Sequence, residues 1–340
     1  NALLTKKTIR FREKHKDNRS LPEKSCNDKR KGANKMKKIA FIFPGQGSQY
    51  VGMGKDFYET FPCAKEMIDL AEKVSGIPMK ELLFEENENI NITKYTQIAM
   101  LADELAIWSV LREKGVESAV NAGLSLGEYA ALVASGVMTP EDAFRVVTKR
   151  GEFMQEAVPT GGAMTAVLGA DTAVIENICE ETEGIVSIAN YNCPGQIVIT
   201  GEQKAVDTAA AALKEAGAKR CTPLNVSGPF HSAMLLPAGE KLAAELEQVE
   251  IHKIAVPYIT NVTADYVTDS SQVKELLKKQ ISSSVRWQQS VERMIADGVE
   301  AFIEIGPKKS LCGFMKRIDK TVPAYHVDKV TDLESVLEVI

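Results

Sequence analysis

The sequence predicts a mixed α/β fold in two parts. A large domain built on a parallel sheet takes residues 38–159 and 227–340, and a small βαββαβ domain, 160–226, is inserted between its halves. Three observations carry this. Short continuous apolar runs at 39–43 and 301–305 end in Gly/Pro loops, the signature of strands buried on both faces. Between 160 and 226 the stretches follow in the order β-α-β-β-α-β, the ferredoxin-like order. And Gly123-Leu124-Ser125-Leu126-Gly127 joins a strand-like run to a helix-forming one, the setting of a nucleophile elbow, which makes the large domain α/β-hydrolase-like.

Taken in order, Lys38-Ile39-Ala40-Phe41-Ile42-Phe43 opens the large domain. It runs into Pro44-Gly45-Gln46-Gly47-Ser48-Gln49, a loop at a strand's carboxyl end, where open α/β sheets bind ligands. The loop lacks the Lys-Ser/Thr of a phosphate loop, and its G-x-G is too short for a dinucleotide fingerprint. A plain strand–helix turn is its other reading. Helices follow at 54–74 and 97–114; in the second, Ile98, Leu101, Leu105, Trp108 and Leu111 form a core-facing stripe. After the elbow helix, Thr139-Pro140-Glu141-Asp142 supplies a cap, an N1 proline and early acids to a helix reaching Met154. The small domain reads as strand 163–168, helix 171–183, strands 185–190 and 196–200, helix 202–216 and strand 219–224, with 191–195 as an amide-rich hairpin. Beyond Gly228-Pro229 come a helix from Ala238 to Leu246, a strand at 256–260, and helices near 271–281 and 287–297. Strand 301–305 ends in Gly306-Pro307, then a helix at 309–318 and a last strand–helix pair close the chain.

With 340 residues and 44% hydrophobic content the chain can bury a sizeable core. No apolar run approaches the ~20 residues of a membrane span, and the N-terminus has no apolar signal core, so a cytoplasmic protein is expected. Six scattered cysteines without a C-x-x-C pair suggest reduced thiols rather than disulfides or zinc. Charge is uneven: residues 1–38 hold 14 Lys/Arg against 4 Asp/Glu, the rest 27 against 42. Residues 1–37 read as a basic N-terminal extension without apolar periodicity. A solvated extension and a nucleic-acid-binding arm are both open to such a segment; the first is expected.

Ser125 has two readings. At the head of a helix it is an N-cap, and on a G-x-S-x-G corner it is a nucleophile above unpaired N–H groups that stabilise an oxyanion. Of four histidines, His15 lies in the extension, His252 in a charged linker and His326 in a late strand. His231, in Ser227-Gly228-Pro229-Phe230-His231-Ser232, alone sits in a loop at an element junction, where a base for Ser125 belongs; a buried structural histidine is the alternative. Arg150 reads either as a solvated helix residue or as a site residue. A serine hydrolase of the α/β type requires an acid between its Ser and His, and Asp171 and Asp207 fall at helix starts rather than strand-end loops.

FPGQGSQ, GLSLGEY, the Lys149–Gln155 run, NCPGQIVITG, SGPFHS and EIGPKKSL occur in this order across roughly residues 38–318. Together they resemble the malonyl-CoA:acyl-carrier-protein transacylases of fatty-acid synthesis. The residue before the nucleophile, often His in that family, is Leu124 here, and the basic extension has no counterpart. The resemblance implies Ser125 as nucleophile and His231 as general base, with His231 oriented by a main-chain carbonyl at Gln280. It implies Arg150 as clamp for the malonyl carboxylate, an oxyanion hole from the N–H groups of Gln46 and Leu126, and Asn192 and Gln196 as amides lining the cleft. Phe230 resembles the malonyl-selective members. Malonyl-CoA and acyl carrier protein are the implied partners. No metal or other cofactor, nucleic acid or membrane is required, and a monomer is expected. A discrete polyketide acyltransferase, a thioesterase and a non-catalytic carrier-binding module are the rival readings.

Overall fold

A computed structural model describes residues 37–226 and 228–339. The basic extension lies outside the described residues up to Met36. β1 (Ile39–Phe43) is followed by α1 (Lys55–Thr60), α2 (Pro62–Ser75), α3 (Met79–Phe84) and α4 (Thr93–Glu113). β2 (Val120–Gly123), α5 (Gly127–Ala134) and α6 (Pro140–Ala157) come next. Then come β3 (Gly162–Leu168), α7 (Thr172–Glu181), β4 (Val186–Cys193), β5 (Gln196–Glu202), α8 (Gln203–Glu215) and β6 (Arg220–Pro223). The chain continues through α9 (Leu236–Leu246), β7 (Tyr258–Ile259), α10 (Val273–Gln280), α11 (Trp287–Ala296), β8 (Ala301–Ile305), α12 (Ser310–Ile318), β9 (Ala324–Val327) and α13 (Val330–Leu337).

The first sheet is parallel, in the order β7-β2-β1-β8-β9. Alternation along β1 divides the core. Phe41 and Phe43 face the packed bodies of α2, α4, α5 and α6, while Ala40 and Ile42 face Trp287, Val291, Leu311 and Met315 of α11 and α12. Truncating a buried aromatic such as Phe43 or Trp287 costs about 3–5 kcal/mol. The chain reverses its direction of growth at β1, with β2 on one side and β8 on the other. The loops after β1, β2 and β8 therefore meet at the sheet's carboxyl edge, where a crevice opens.

The second sheet is antiparallel, in the order β4-β5-β3-β6. Val167, Ile188, Ile197 and Ile199 pack against α7 and α8 on one face, while Met164 and Val198 face the crevice. The antiparallel sheet is tied to the segment before α11 by backbone bonds between Val285 and β4: Tyr191 N–H to the Val285 carbonyl (2.9 Å) and Val285 N–H to the Ala189 carbonyl (2.8 Å).

Local differences from the sequence expectation have physical causes. The single helix expected at 54–74 is broken at Phe61, because Pro62 has no N–H to continue α1 and starts α2 at its first position. Short α3 carried too little periodicity to be foreseen, and α4 begins at Thr93, earlier than expected. β4 runs on through Tyr191, Asn192 and Cys193, so the hairpin shrinks to Pro194–Gly195, with Gly195 at φ 69°. The strand expected at 256–260 pairs only at Tyr258 and Ile259. Five cysteines among the described residues are free thiols.

Candidate active site

Ser125 stands in the three-residue corner between β2 and α5, at φ 55°, a left-handed conformation that L-residues rarely adopt. The corner closes so tightly that a Cβ on Gly123 would lie 1.9 Å from the Gly127 carbonyl carbon, and one on Gly127 would lie 2.2 Å from the Phe43 oxygen. Both flanking glycines are therefore steric requirements of the elbow.

His231 meets the serine from 106 residues away: its Nε2 is 2.8 Å from Ser125 Oγ. Its Nδ1 lies 2.8 Å from the Gln280 main-chain carbonyl. A carbonyl only accepts, so Nδ1 carries the proton and Nε2 is left to accept from the hydroxyl. His231 is itself left-handed, at φ 60°, and its N–H is held by the Ile281 carbonyl at 3.1 Å. Burial, assisted by the positive charge of Arg150, pulls its pKa down to about 4, so the ring is a neutral base at neutral pH. Among the described residues no carboxylate bonds His231 Nδ1: Asp171 caps α7, and Asp207, in the second turn of α8, accepts from Gln203.

Arg150 is not a solvated helix residue. It is fully buried on the inner face of α6, where Gly151 lets that helix approach α4 until a Cβ would sit 2.9 Å from Lys94 Cα. Its Nη1 donates to Gln97 Oε1 (2.6 Å), and its Nη2 to Gln280 Oε1 (3.0 Å) and to Ser125 Oγ (3.1 Å). Two neutral amides thus orient a cation beside the hydroxyl, and Glu128 acts on it electrostatically without a hydrogen bond between them among the described residues. Glu128 lies close by; burial raises its pKa, offset by hydrogen bonds from Gln280 and the Asn261 backbone.

The crevice encloses a cavity of about 370 Å³. Gln46, Leu126, Asn192, Phe230, Ser125 and His231 line it. The Gln46 and Leu126 N–H groups are engaged by no other group among the described residues. Gln196 departs from expectation: it sits at the turn end of β5, where Arg317 of α12 donates to its Oε1 at 3.0 Å, and it is not part of the lining. Gln280 supplies the main-chain carbonyl expected of it. Its carbonyl holds His231, while its side chain is consumed by Arg150, Glu128 and the Ser125 carbonyl instead of facing the cavity. Asn190, Gln97, Glu128 and Asn261 enter the site without having been singled out. Only the spacing of Asn190 from Asn192, two apart on one strand, hinted at any of them.

The arrangement sets a serine hydroxyl 2.8 Å from a neutral imidazole and 3.1 Å from a guanidinium, at a cavity lined by two residues whose N–H groups are unengaged among the described residues. It suits acyl transfer from substrates that carry a negative charge. Comparison with known proteins agrees. Residues 40–329 match the family model of the acyl transferase domain. A malonyl CoA-acyl carrier protein transacylase of Bacillus subtilis (strain 168) is 44% identical over 310 residues, covering 90% of this chain and 98% of the relative. The crystal structure of MCAT from Streptococcus pneumoniae superposes with a TM-score of 0.86 at 47% identity, over 89% of this chain and all of that one. A malonyl-transacylase solved in complex with its type II PKS acyl-carrier protein also superposes at 0.86, with 42% identity over 88% of this chain and 99% of that one.

Proposed function

This chain belongs to the malonyl CoA-acyl carrier protein transacylases of the acyl transferase domain family, and from that premise we propose how it works. It transfers a malonyl group from malonyl-CoA to the thiol of acyl carrier protein, for fatty-acid synthesis. The substrate carboxylate takes up the Arg150 Nη2 donor that otherwise points at Ser125 Oγ, fixing the thioester carbon over the hydroxyl. Ser125 Oγ attacks that carbon as its proton passes to His231 Nε2. The oxyanion is held by the Gln46 and Leu126 N–H groups, with α5 behind them. Collapse breaks the carbon–sulfur bond, and His231 returns the proton to the leaving CoA sulfur. The carrier thiol then gives its proton to His231, attacks the acyl-serine, and the same steps in reverse restore Ser125.

One observation supports this most: a hydroxyl sits in one cavity between a neutral imidazole at 2.8 Å and a buried guanidinium at 3.1 Å. In this reading Asn192 and Phe230 contact the acyl chain, and the bulk of Phe230 excludes branched acyl groups. We read residues 160–226 as a ferredoxin-like domain inserted in an α/β-hydrolase-like one, supported by the antiparallel order β4-β5-β3-β6 beside a wholly parallel sheet. We also propose a cytoplasmic setting, in which malonyl-CoA and carrier protein are met in solution.

The test is to mix the protein with malonyl-CoA and map the acyl adduct by mass spectrometry. The adduct is expected on Ser125, lost in Ser125→Ala, and discharged by holo carrier protein. Free malonate as the dominant product identifies a hydrolase instead. A second reading, supply of a polyketide carrier, is favoured by the similar protein solved with a type II PKS carrier; competition between the two carriers for one acyl-enzyme decides between them.

A further inference from the structure

The left-handed corner at Ser125 needs a partner to hold it, and no motif names one. We propose that Asn261 is the positioning residue of the nucleophile, an inference that rests on Ser125 being that nucleophile. The parallel register pairs Ala122 of β2 with Ile259 of β7, and Asn261 follows two residues beyond the end of β7. It therefore lies beside the corner, just past the last rung of the ladder. Its Oδ1 accepts the Ser125 N–H and its Nδ2 donates to the Gly123 carbonyl, both at 2.6 Å. One planar amide spans the turn from the residue that enters it to the residue at its apex.

The amide itself is fixed. Asn261 is 2% exposed, its N–H donates to Glu128 Oε2 at 3.1 Å, and its carbonyl accepts the Arg286 N–H at 3.1 Å. Glu128 Oε2 also accepts from Gln280 Nε2 (2.7 Å), which donates to the Ser125 carbonyl (2.9 Å). Both main-chain polar groups of Ser125 are thus gripped, the N–H by Asn261 and the carbonyl by Gln280. Because its own N–H is taken, Ser125 adds no oxyanion donor, and that task stays with Gln46 and Leu126. The site needs one donor and one acceptor on a single short planar group. Asp would set a carboxylate oxygen against the Gly123 carbonyl, and Gln is one methylene too long.

The experiment measures malonyl transfer to holo carrier protein in Asn261→Ala and in the near-isosteric Asn261→Asp. A misplaced attacking atom is expected to lower kcat about 100-fold in both, while KM for malonyl-CoA stays within about twofold, since Arg150 and the cavity walls are untouched. Stability gives a second readout. A glycine at the corner is at home at positive φ, so Asn261→Ala should lower Tm less in a Ser125→Gly background than in the wild-type chain. Either variant keeping wild-type kcat, a raised KM with kcat intact, or equal Tm losses in the two backgrounds overturns the inference. Ser125→Ala separates it from the premise. Inactive Ser125→Ala with active Asn261 variants defeats only the role of Asn261, whereas active Ser125→Ala defeats both.

Discussion

Replacing Arg150 by Ala should separate charged from uncharged acyl groups. The guanidinium is fully buried, its hydrogen bonds go to neutral Gln97, Gln280 and Ser125, and Glu128, which acts on it electrostatically, is itself held by Gln280 and the Asn261 backbone, so Nη2 can turn to a substrate carboxylate. Charge-assisted hydrogen bonds contribute about 1.5–3 kcal/mol each, and removing one partner of a buried ion pair costs about 3–5 kcal/mol. At about 1.4 kcal/mol per tenfold, kcat/KM for malonyl-CoA should fall roughly 100- to 1,000-fold or more. Acetyl-CoA has no carboxylate to lose and forfeits only the 3.1 Å charge-assisted donation to Ser125 Oγ, about 1.5–3 kcal/mol, so its loss should be roughly tenfold or more smaller than that of malonyl-CoA. Arg150→Lys should recover little of the malonyl rate, because one ammonium cannot bridge both amides and a carboxylate. The truncation also leaves two buried glutamine oxygens without donors, at about 1–3 kcal/mol each, so circular dichroism must accompany the kinetics. The assay is initial-rate transfer of each acyl group to holo carrier protein. Equal losses on malonyl-CoA and acetyl-CoA in folded Arg150→Ala would refute the carboxylate clamp.

His231, depressed to about 4 by burial and by Arg150, should keep kcat/KM flat well below pH 6.5, with the acid limb near pH 4–5 in a rate profile; Arg150→Ala should move that limb upward on acetyl-CoA. Its linkage has a definite sign. Between about pH 6.5 and 4 the unfolded chain binds the proton and the folded one does not, so this histidine lowers stability as pH falls through that window, by up to roughly 3 kcal/mol. His231→Gln should flatten that part of a pH-dependent denaturation series. Gly127→Ala should abolish activity and much of the soluble yield, since its methyl would meet the Phe43 carbonyl at 2.2 Å. Gly313→Ala, mid-helix in α12 with open space around it, should instead gain about 0.5–1 kcal/mol in a urea melt and leave transfer unchanged.

Much of the fold was legible because its signals are local. β1 and β8 announce themselves as continuous apolar runs, the elbow is written in five residues, and Thr139-Pro140 marks the start of α6 with a cap and a proline. The alternation of β3 to β6 with two helices was readable for the same reason. The failures are also local in kind. Pro62 breaks a helical spacing that is otherwise continuous across 54–74, and the continuation of β4 to Cys193 is hidden because asparagine and cysteine there look like turn chemistry. Strand pairing across Val198 and Ile197 overrode that preference.

By itself the sequence determined which residues were equipped for chemistry: a serine on a glycine-flanked corner, one histidine at an element junction, one arginine on an amphipathic helix. Their meeting was decided only by the tertiary structure. The order β7-β2-β1-β8-β9 brings loops from distant parts of the chain to one edge, where burial makes His231 neutral and Arg150 is held by Gln97 and Gln280 beside Ser125. Gln196 shows the limit of motif reading, drawn to Arg317 by a contact between β5 and α12 that no local pattern encodes. Asn261 shows its converse. An asparagine after a short strand carries no signal of its own, and its place at the corner exists only because β7 lies beside β2.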